Sequence, residues 1–292
     1  MDQGLCWTRR AVAGGGGFDR DLPYACDHQT CISLFIGRNF IVPKIIILGS
    51  SNAVPTKNHE NTHFVIVGKE RTVLVDCASN PVVRLEQAGV DYNDLSDIII
   101  THFHPDHVSG LPLLLMDMWL MERTKPINIY GLHHTLDRIE NLMGFYNWSE
   151  WPDFFNVGFI RLPEKEMTEV LDCNEFKIFS SPVHHIIPTI GLRVESKSSG
   201  RVMAYSCDTE PCEQTIRLAN GADILVHDAH GDSFGHSSAE QAGGIAAKSE
   251  VNSLYLIHYP SGRFAEGDIA KEASQNYGGE IVVAQDFMVI DI

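Results

Sequence analysis

Apolar residues in this chain fall into short β-branched runs that alternate with longer mixed stretches. Ile45–Leu48, His63–Val67 and Thr72–Val75 have the length and composition of strands, the last two joined by a tight turn at Gly68, Lys69 and Glu70. Asp76 ends the third run, and Pro81–Ala88 reads as a short helix closed by Gly89. Ile98, Ile99 and Ile100 predict a buried strand, followed by a helix over Leu111–Met121, a strand over Ile127–Tyr130 and a helix over Thr135–Met143. In the stretch Phe145–Phe159, Tyr146, Trp148, Trp151, Phe154 and Phe155 crowd together, either covering a core or lining a substrate pocket. The second half repeats the rhythm. Strands are expected at Phe176–Ser180, Ile190–Glu195, Val202–Tyr205, Ile224–Val226, Ser253–Ile257, Ile281–Ala284 and Phe287–Ile290. Helices fit Cys212–Ala219, Ser238–Ser249 and Asp268–Asn276.

Two runs of strands, each with its own helices, imply two sheets face to face with helices outside, a four-layer αββα sandwich of the α/β class. No stretch after residue 44 reads as a linker, so residues 44–292 form one domain. Residues 1–43 lack clean periodicity and contain four consecutive glycines, Gly14 to Gly17, and read as a poorly packed leader or N-terminal extension. Cys26, His28 and Cys31 in that segment lack the second pair a zinc module needs.

Chemistry collects where the apolar runs stop. His102, His104, Asp106 and His107 fall within six residues around Pro105, directly after the strand at Ile98. Imidazole nitrogen and carboxylate oxygen are ligands that Zn²⁺, Mn²⁺ or Fe accept. Neighbours on an extended loop face opposite ways, so His102 and His104 are expected to share one side while Asp106 and His107 serve a second metal. Downstream, His184 and His185 precede IIPTIG; only one of two adjacent residues should reach the metals, and His185 heads an HxxPxxG pattern. Asp208 follows a strand in YSCDT and is expected to bridge two cations, the alternative being a cap for the helix near Pro211. Strand alternation points the neighbouring Cys207 away, as a buried thiol. His258 ends the apolar run LYLIH. The expected centre is one Zn²⁺ on His102, His104 and His185 and another on Asp106, His107 and His258, with Asp208 between. Mn²⁺ or Fe would also suit these ligands. A metal pair of this kind clamps a hydroxide of lowered pKa, the expected nucleophile.

The segment HxHxDH after an apolar strand resembles the metallo-β-lactamase superfamily of dinuclear metallohydrolases. GSSNAVPT (Gly49–Thr56), HxxPxxG at His185, Asp208-Thr209, GHSSAEQA (Gly235–Ala242) and HYPSGRF at His258 are similar to the ribonuclease Z group. The resemblance spans residues 44–292 with its motifs in order, and it implies the same αββα fold and phosphodiester substrates. In that group the His of the GHS motif assists proton transfer to the leaving oxygen. His236 therefore inherits a candidate general-acid role, which suits an imidazole because such side chains titrate near neutral pH. The other reading is that His236 only precedes the helix cap at Ser237-Ser238. The group's HEAT-like segment here is HDAH, with Asp228 in place of Glu and His230 in place of Thr. Asp106, His236 and Asp228 are the candidate catalytic residues. The short segment Ile186–Cys207 leaves no space for the long basic arm that clasps tRNA in those enzymes.

Composition narrows the substrate. The chain of 292 residues has a formal charge of −16 and no dense Lys/Arg run, which disfavours nucleic acid as a partner. A small anionic ester fits better: a phosphodiester, or a sulfate ester as in arylsulfatase-like relatives. No apolar stretch reaches membrane-spanning length. The seven cysteines are odd in number, scattered and without CxxC spacing, as expected of reduced thiols in the cytoplasm. The resemblance implies a homodimer. The expected function is a dinuclear-zinc phosphodiesterase. Three alternatives stay open: lactonase, thioesterase, β-lactamase-type or arylsulfatase hydrolysis at the same metals; tRNA 3′ processing; and metal binding without catalysis.

Overall fold

Side-chain alternation sorts each strand into an inner and an outer face. In β1 (Lys44–Gly49), Ile45 and Ile47 enter the layer between two sheets, while Ile46 and Leu48 face helices. The computed structural model describes residues 42–265 and 267–292. Of the predicted leader, residues 1–41, with Cys26, His28 and Cys31, lie outside the described residues. Pro43 already belongs to the domain, because its carbonyl accepts the Ile292 N–H at 3.1 Å.

The first half builds β2 (His63–Val67), β3 (Thr72–Val75), α1 (Pro81–Gln87), β4 (Leu95–Ile99), α2 (Pro105–Val108), α3 (Leu111–Leu120), β5 (Ile127–Leu132), α4 (His133–Phe145) and β6 (Val157–Leu162). The second half builds β7 (Thr168–Asp172), β8 (Phe176–Val183), β9 (Thr189–Ser196), β10 (Val202–Tyr205), α5 (Glu213–Ala219), β11 (Ile224–Asp228), α6 (Ala239–Lys248), β12 (Ser253–Ile257), α7 (Ile269–Ala273), β13 (Glu280–Val283) and β14 (Val289–Asp291). One seven-stranded sheet has the order β14-β1-β2-β3-β4-β5-β6 and the other β13-β12-β11-β10-β9-β8-β7. A shared core that includes Phe64, Phe176 and Tyr205 fills the space between them. Apolar residues of α1, α3 and α4 cover the outer face of the first sheet, and those of α5, α6 and α7 cover that of the second. This is the αββα sandwich. No described helix is long and apolar enough to cross a membrane.

Two strands had no clear sequence signal. β6 and β7 are half-exposed edge strands, paired with β5 and β8 and anchored by few apolar side chains, Leu162 on β6 and Val170 and Leu171 on β7. The final strand is shifted: Phe287 has φ 65° and turns the chain, so β14 begins at Val289. Most of the aromatic stretch packs on the core, while Phe145 and Tyr146 at its start are exposed. Trp151 stacks on Trp119 of α3 with ring centroids 5.0 Å apart, and Trp148, Phe154, Phe155 and Phe159 pack against the outer core of the first sheet.

A candidate metal centre at the strand ends

β3, β4 and β5 run parallel, as do β10 through β13, so these strands present their C-terminal ends together. Backbone bonding stops there and side chains are free to converge. His102 and His104 follow β4, His185 follows β8, Asp208 follows β10 and His258 follows β12. Asp106 and His107 do not sit on an extended loop. Pro105 starts the single helical turn α2, with His104 at its N-cap, so both side chains leave one turn towards the same centre.

All seven predicted ligands come together in two groups that share Asp208. Ligand atoms of His102, His104, His185 and Asp208 lie within 4.8 Å of one another, and so do those of Asp106, His107, Asp208 and His258. His104 Nδ1 is 3.1 Å from His102 Nε2 and 3.2 Å from His185 Nε2. Asp208 Oδ2 is 3.4 Å from both His107 Nε2 and His258 Nε2 and 3.8 Å from His102 Nε2. His107 Nε2 and Asp208 Oδ1 are buried and have no hydrogen-bond partner among the described residues, a costly arrangement for a polar interior unless a cation satisfies them. Borderline nitrogen donors, anionic oxygens and these two orphaned atoms together fit a pair of divalent metals.

The electrostatics agree. Burial alone would lower the His258 pKa, but Asp208, Asp106 and Asp228 overcome it and push it up to about 10. His107 is likewise raised against its burial by Asp208 and Asp76. Burial would raise Asp106, yet His258 and His107 hold its carboxyl well below the usual range. The acidic groups thus favour positive charge at this spot, which a metal supplies as well as a proton does.

Contacts behind the ligands set their orientation. Asp76, fully buried with φ 60°, accepts from His107 Nδ1 at 2.8 Å and from the Thr101 N–H and hydroxyl at 2.8 and 2.9 Å. Thr101 Oγ1 lies 3.1 Å from His102 Nδ1. His185 Nδ1 donates to the Gly235 carbonyl at 2.6 Å. A Cβ at Gly235, where φ is 82°, would come within 2.6 Å of Ile186 and 2.8 Å of His185 Nδ1, so only glycine lets that carbonyl approach. Asp76 escaped sequence reasoning, although it ends an apolar run in LVDCA just as Asp208 does in YSCDT. Cys207 departs from its expectation. With φ 55° it has already left the strand, and its buried thiol lies 3.6 Å from His102 Nδ1, behind that ring rather than away from the site. His184 is exposed, with Nδ1 3.3 Å from Glu210 Oε2. Asp208 caps no helix, since α5 starts from Cys212.

Next to this centre lies the His236 side. Asp228 Oδ2 accepts from His236 Nδ1 at 2.9 Å, and Asp228 Oδ1 is 3.6 Å from His258 Nδ1. Asp228, expected among the catalytic residues, is fully buried at the end of β11, out of reach of a substrate. It accepts the hydrogen bond from His236 and faces His258, whose Nδ1 has no hydrogen-bond partner among the described residues. His236 precedes the cap of α6, which Ser238 makes in a reciprocal capping box with Gln241. His236 forms one wall of a cavity of about 490 Å³, lined also by Glu210, Asp232, Ser233, Phe234 and Gln241.

Residues 43–275 match the model of a family described as anti-Pycsar protein Apyc1. A ribonuclease Z from Thermococcus kodakarensis is 27% identical, covering 85% of this chain and 94% of its own length. Among solved structures, human tRNase Z, short form, superposes with a TM-score of 0.67 at 25% identity over 85% of this chain and 98% of that one. The metallo-β-lactamase fold protein YhfI from Bacillus subtilis has a TM-score of 0.73 at 21% identity over 86% of this chain and 100% of that one, a likeness of fold.

Proposed function

The chain belongs to the anti-Pycsar protein Apyc1 family and is a ribonuclease Z-like, metal-dependent hydrolase of the metallo-β-lactamase fold; from there we propose that it cleaves a small phosphodiester at two zinc ions. The observation that carries this reading is the pair of ligand groups sharing Asp208. His102, His104 and His185 would hold one ion and Asp106, His107 and His258 the other, with Asp208 common to both. Bound there, the metals would supply an acidified water and positive charge for the phosphoryl oxygens.

The chain's own residues do the rest. Asp76, Thr101 and the Gly235 carbonyl hold the outer nitrogens of His107, His102 and His185, which leaves their Nε2 atoms facing the centre. A carboxylate only accepts, so the proton on His236 Nδ1 points at Asp228, and Nε2 is the atom that hands a proton to the leaving oxygen. Charge and topology support a small substrate. β8 returns directly into β9 and β10, with no arm between His185 and Asp208, and the chain carries −16. The ribonuclease Z relatives favour a second reading, cleavage of precursor tRNA.

One panel decides between them: zinc-loaded protein with bis(4-nitrophenyl) phosphate, a nucleoside cyclic monophosphate, precursor tRNA, a lactone and nitrocefin. Turnover of the small diesters with precursor tRNA uncut is the expected result. Cut tRNA with idle small diesters selects the second reading, and lactone or nitrocefin turnover with inert diesters overturns both. Asp208→Ala removes a ligand from each group and should lower zinc content together with diester turnover, the latter by ~10³-fold, equivalent to several kcal/mol of lost charge stabilisation.

A further inference from the structure

Two imidazoles, His230 and His236, gather beside the ligand His258 in nearly parallel planes. The His230 and His236 ring centroids are 4.3 Å apart with planes at 21°, His236 and His258 are 5.4 Å apart at 11°, and His230 and His258 are 6.0 Å apart at 30°. The bond from His236 Nδ1 to Asp228 fixes one direction of the His236 ring. A hydrogen bond tolerates tilts of tens of degrees, and a tilt of the ring about this contact displaces the far nitrogen, Nε2. A flat partner on the face of the ring removes this freedom, and His230 is that partner.

His230 is itself anchored at two points. Its backbone N–H donates to Asp228 Oδ1 at 2.9 Å, and its ring Nδ1 lies 3.3 Å from Ser233 Oγ. Asp228 therefore sets both the hydrogen bond of His236 and the place of the ring stacked on it. Thr, the residue of the ribonuclease Z-type segment at this position, has no ring with which to do this.

We propose that His230 is a positioning residue, which holds the plane of His236 so that Nε2 delivers its proton to the leaving oxygen. This rests on the phosphodiester reading. A poor leaving group needs that proton and an activated one does not, so the role shows as leaving-group dependence.

The experiment compares wild type, His230→Ala and His230→Phe, zinc-loaded, on diphenyl phosphate and bis(4-nitrophenyl) phosphate. In His230→Ala the ratio of kcat on the poor to the activated diester should fall by ~10-fold, a part of the 10²–10⁴ that a placed general acid contributes. His230→Phe keeps a flat ring without nitrogens and should return the ratio to within about twofold of wild type. NMR of the His236 Nδ1–H proton reads the same geometry without turnover: it should be sharp in wild type and His230→Phe and exchange-broadened in His230→Ala. An unchanged ratio and a sharp resonance in His230→Ala overturn the proposal, as does a Phe variant that restores neither. Should wild type cleave neither diester, the phosphodiester reading fails, and the resonance alone decides whether His230 holds the ring.

Discussion

Asp76→Asn tests whether the metal centre depends on what lies behind it. The substitution is nearly isosteric, and asparagine tolerates the left-handed backbone at φ 60° that alanine would strain. The amide oxygen can still accept from Thr101, which bonds Asp76 through its N–H and hydroxyl. The amide nitrogen then faces His107 Nδ1 at the 2.8 Å contact, donor against donor. Relief comes from moving the imidazole proton to Nε2, the atom that points to Asp208 and the metal. The lost bond is charge-assisted and buried, worth about 1.5–3 kcal/mol. That agrees with the ~10–100-fold loss of affinity that follows removal of a partner behind a metal-bound histidine. Titration of zinc against a chromogenic chelator should show the site nearest His107 weakened by this factor, with thermal melting of the zinc-loaded protein lowered in parallel. Affinity equal to wild type would mean that Asp76 does not orient His107, and the reasoning about its tautomer would be wrong.

His236→Gln should lower kcat on a phosphodiester by about 10²–10⁴-fold with zinc content by mass spectrometry unchanged; loss of zinc would make His236 a ligand instead. Metal-free protein should lose stability as pH rises from about 6.5 to 10. His258, against its burial, is raised to about 10 by Asp208, Asp106 and Asp228, so its contribution is complete below the unfolded value of about 6.5 and disappears as pH passes the folded one. Burial opposes it, but His258 and His236 respectively dominate around Asp106 and Asp228 and hold both below the usual range, a contribution present above about pH 4 and lost on acidification. Melting scans without zinc should therefore peak between these limits, whereas zinc takes the place of the protons and flattens the alkaline fall; a flat alkaline limb without metal contradicts this. Phe155→Ala, at a side chain 5% exposed in the outer core, should cost about 3–5 kcal/mol in denaturant unfolding and leave zinc content unchanged. Zinc loss at full stability would instead put the aromatic stretch at the site.

Much of the centre is legible in the order of residues because a polar side chain that interrupts an apolar run is conspicuous. His102, Asp208 and His258 each stand where a run of buried residues ends, and parallel strands bring such ends to a common edge. The two sheets follow the same logic, since period-two alternation states which residues face inward. Only tertiary structure decided the rest. Whether Cys207 turns from His102 or rests behind it depends on one φ angle, and whether Asp228 meets substrate or stands behind His236 depends on how deeply β11 is buried. Asp76 gains its role only because β3 lies beside β4, which puts its carboxylate against Thr101 and His107. Residue type and strand-end position are local properties and can be read along the chain. Direction, depth and second partners come from the packing of segments far apart in sequence.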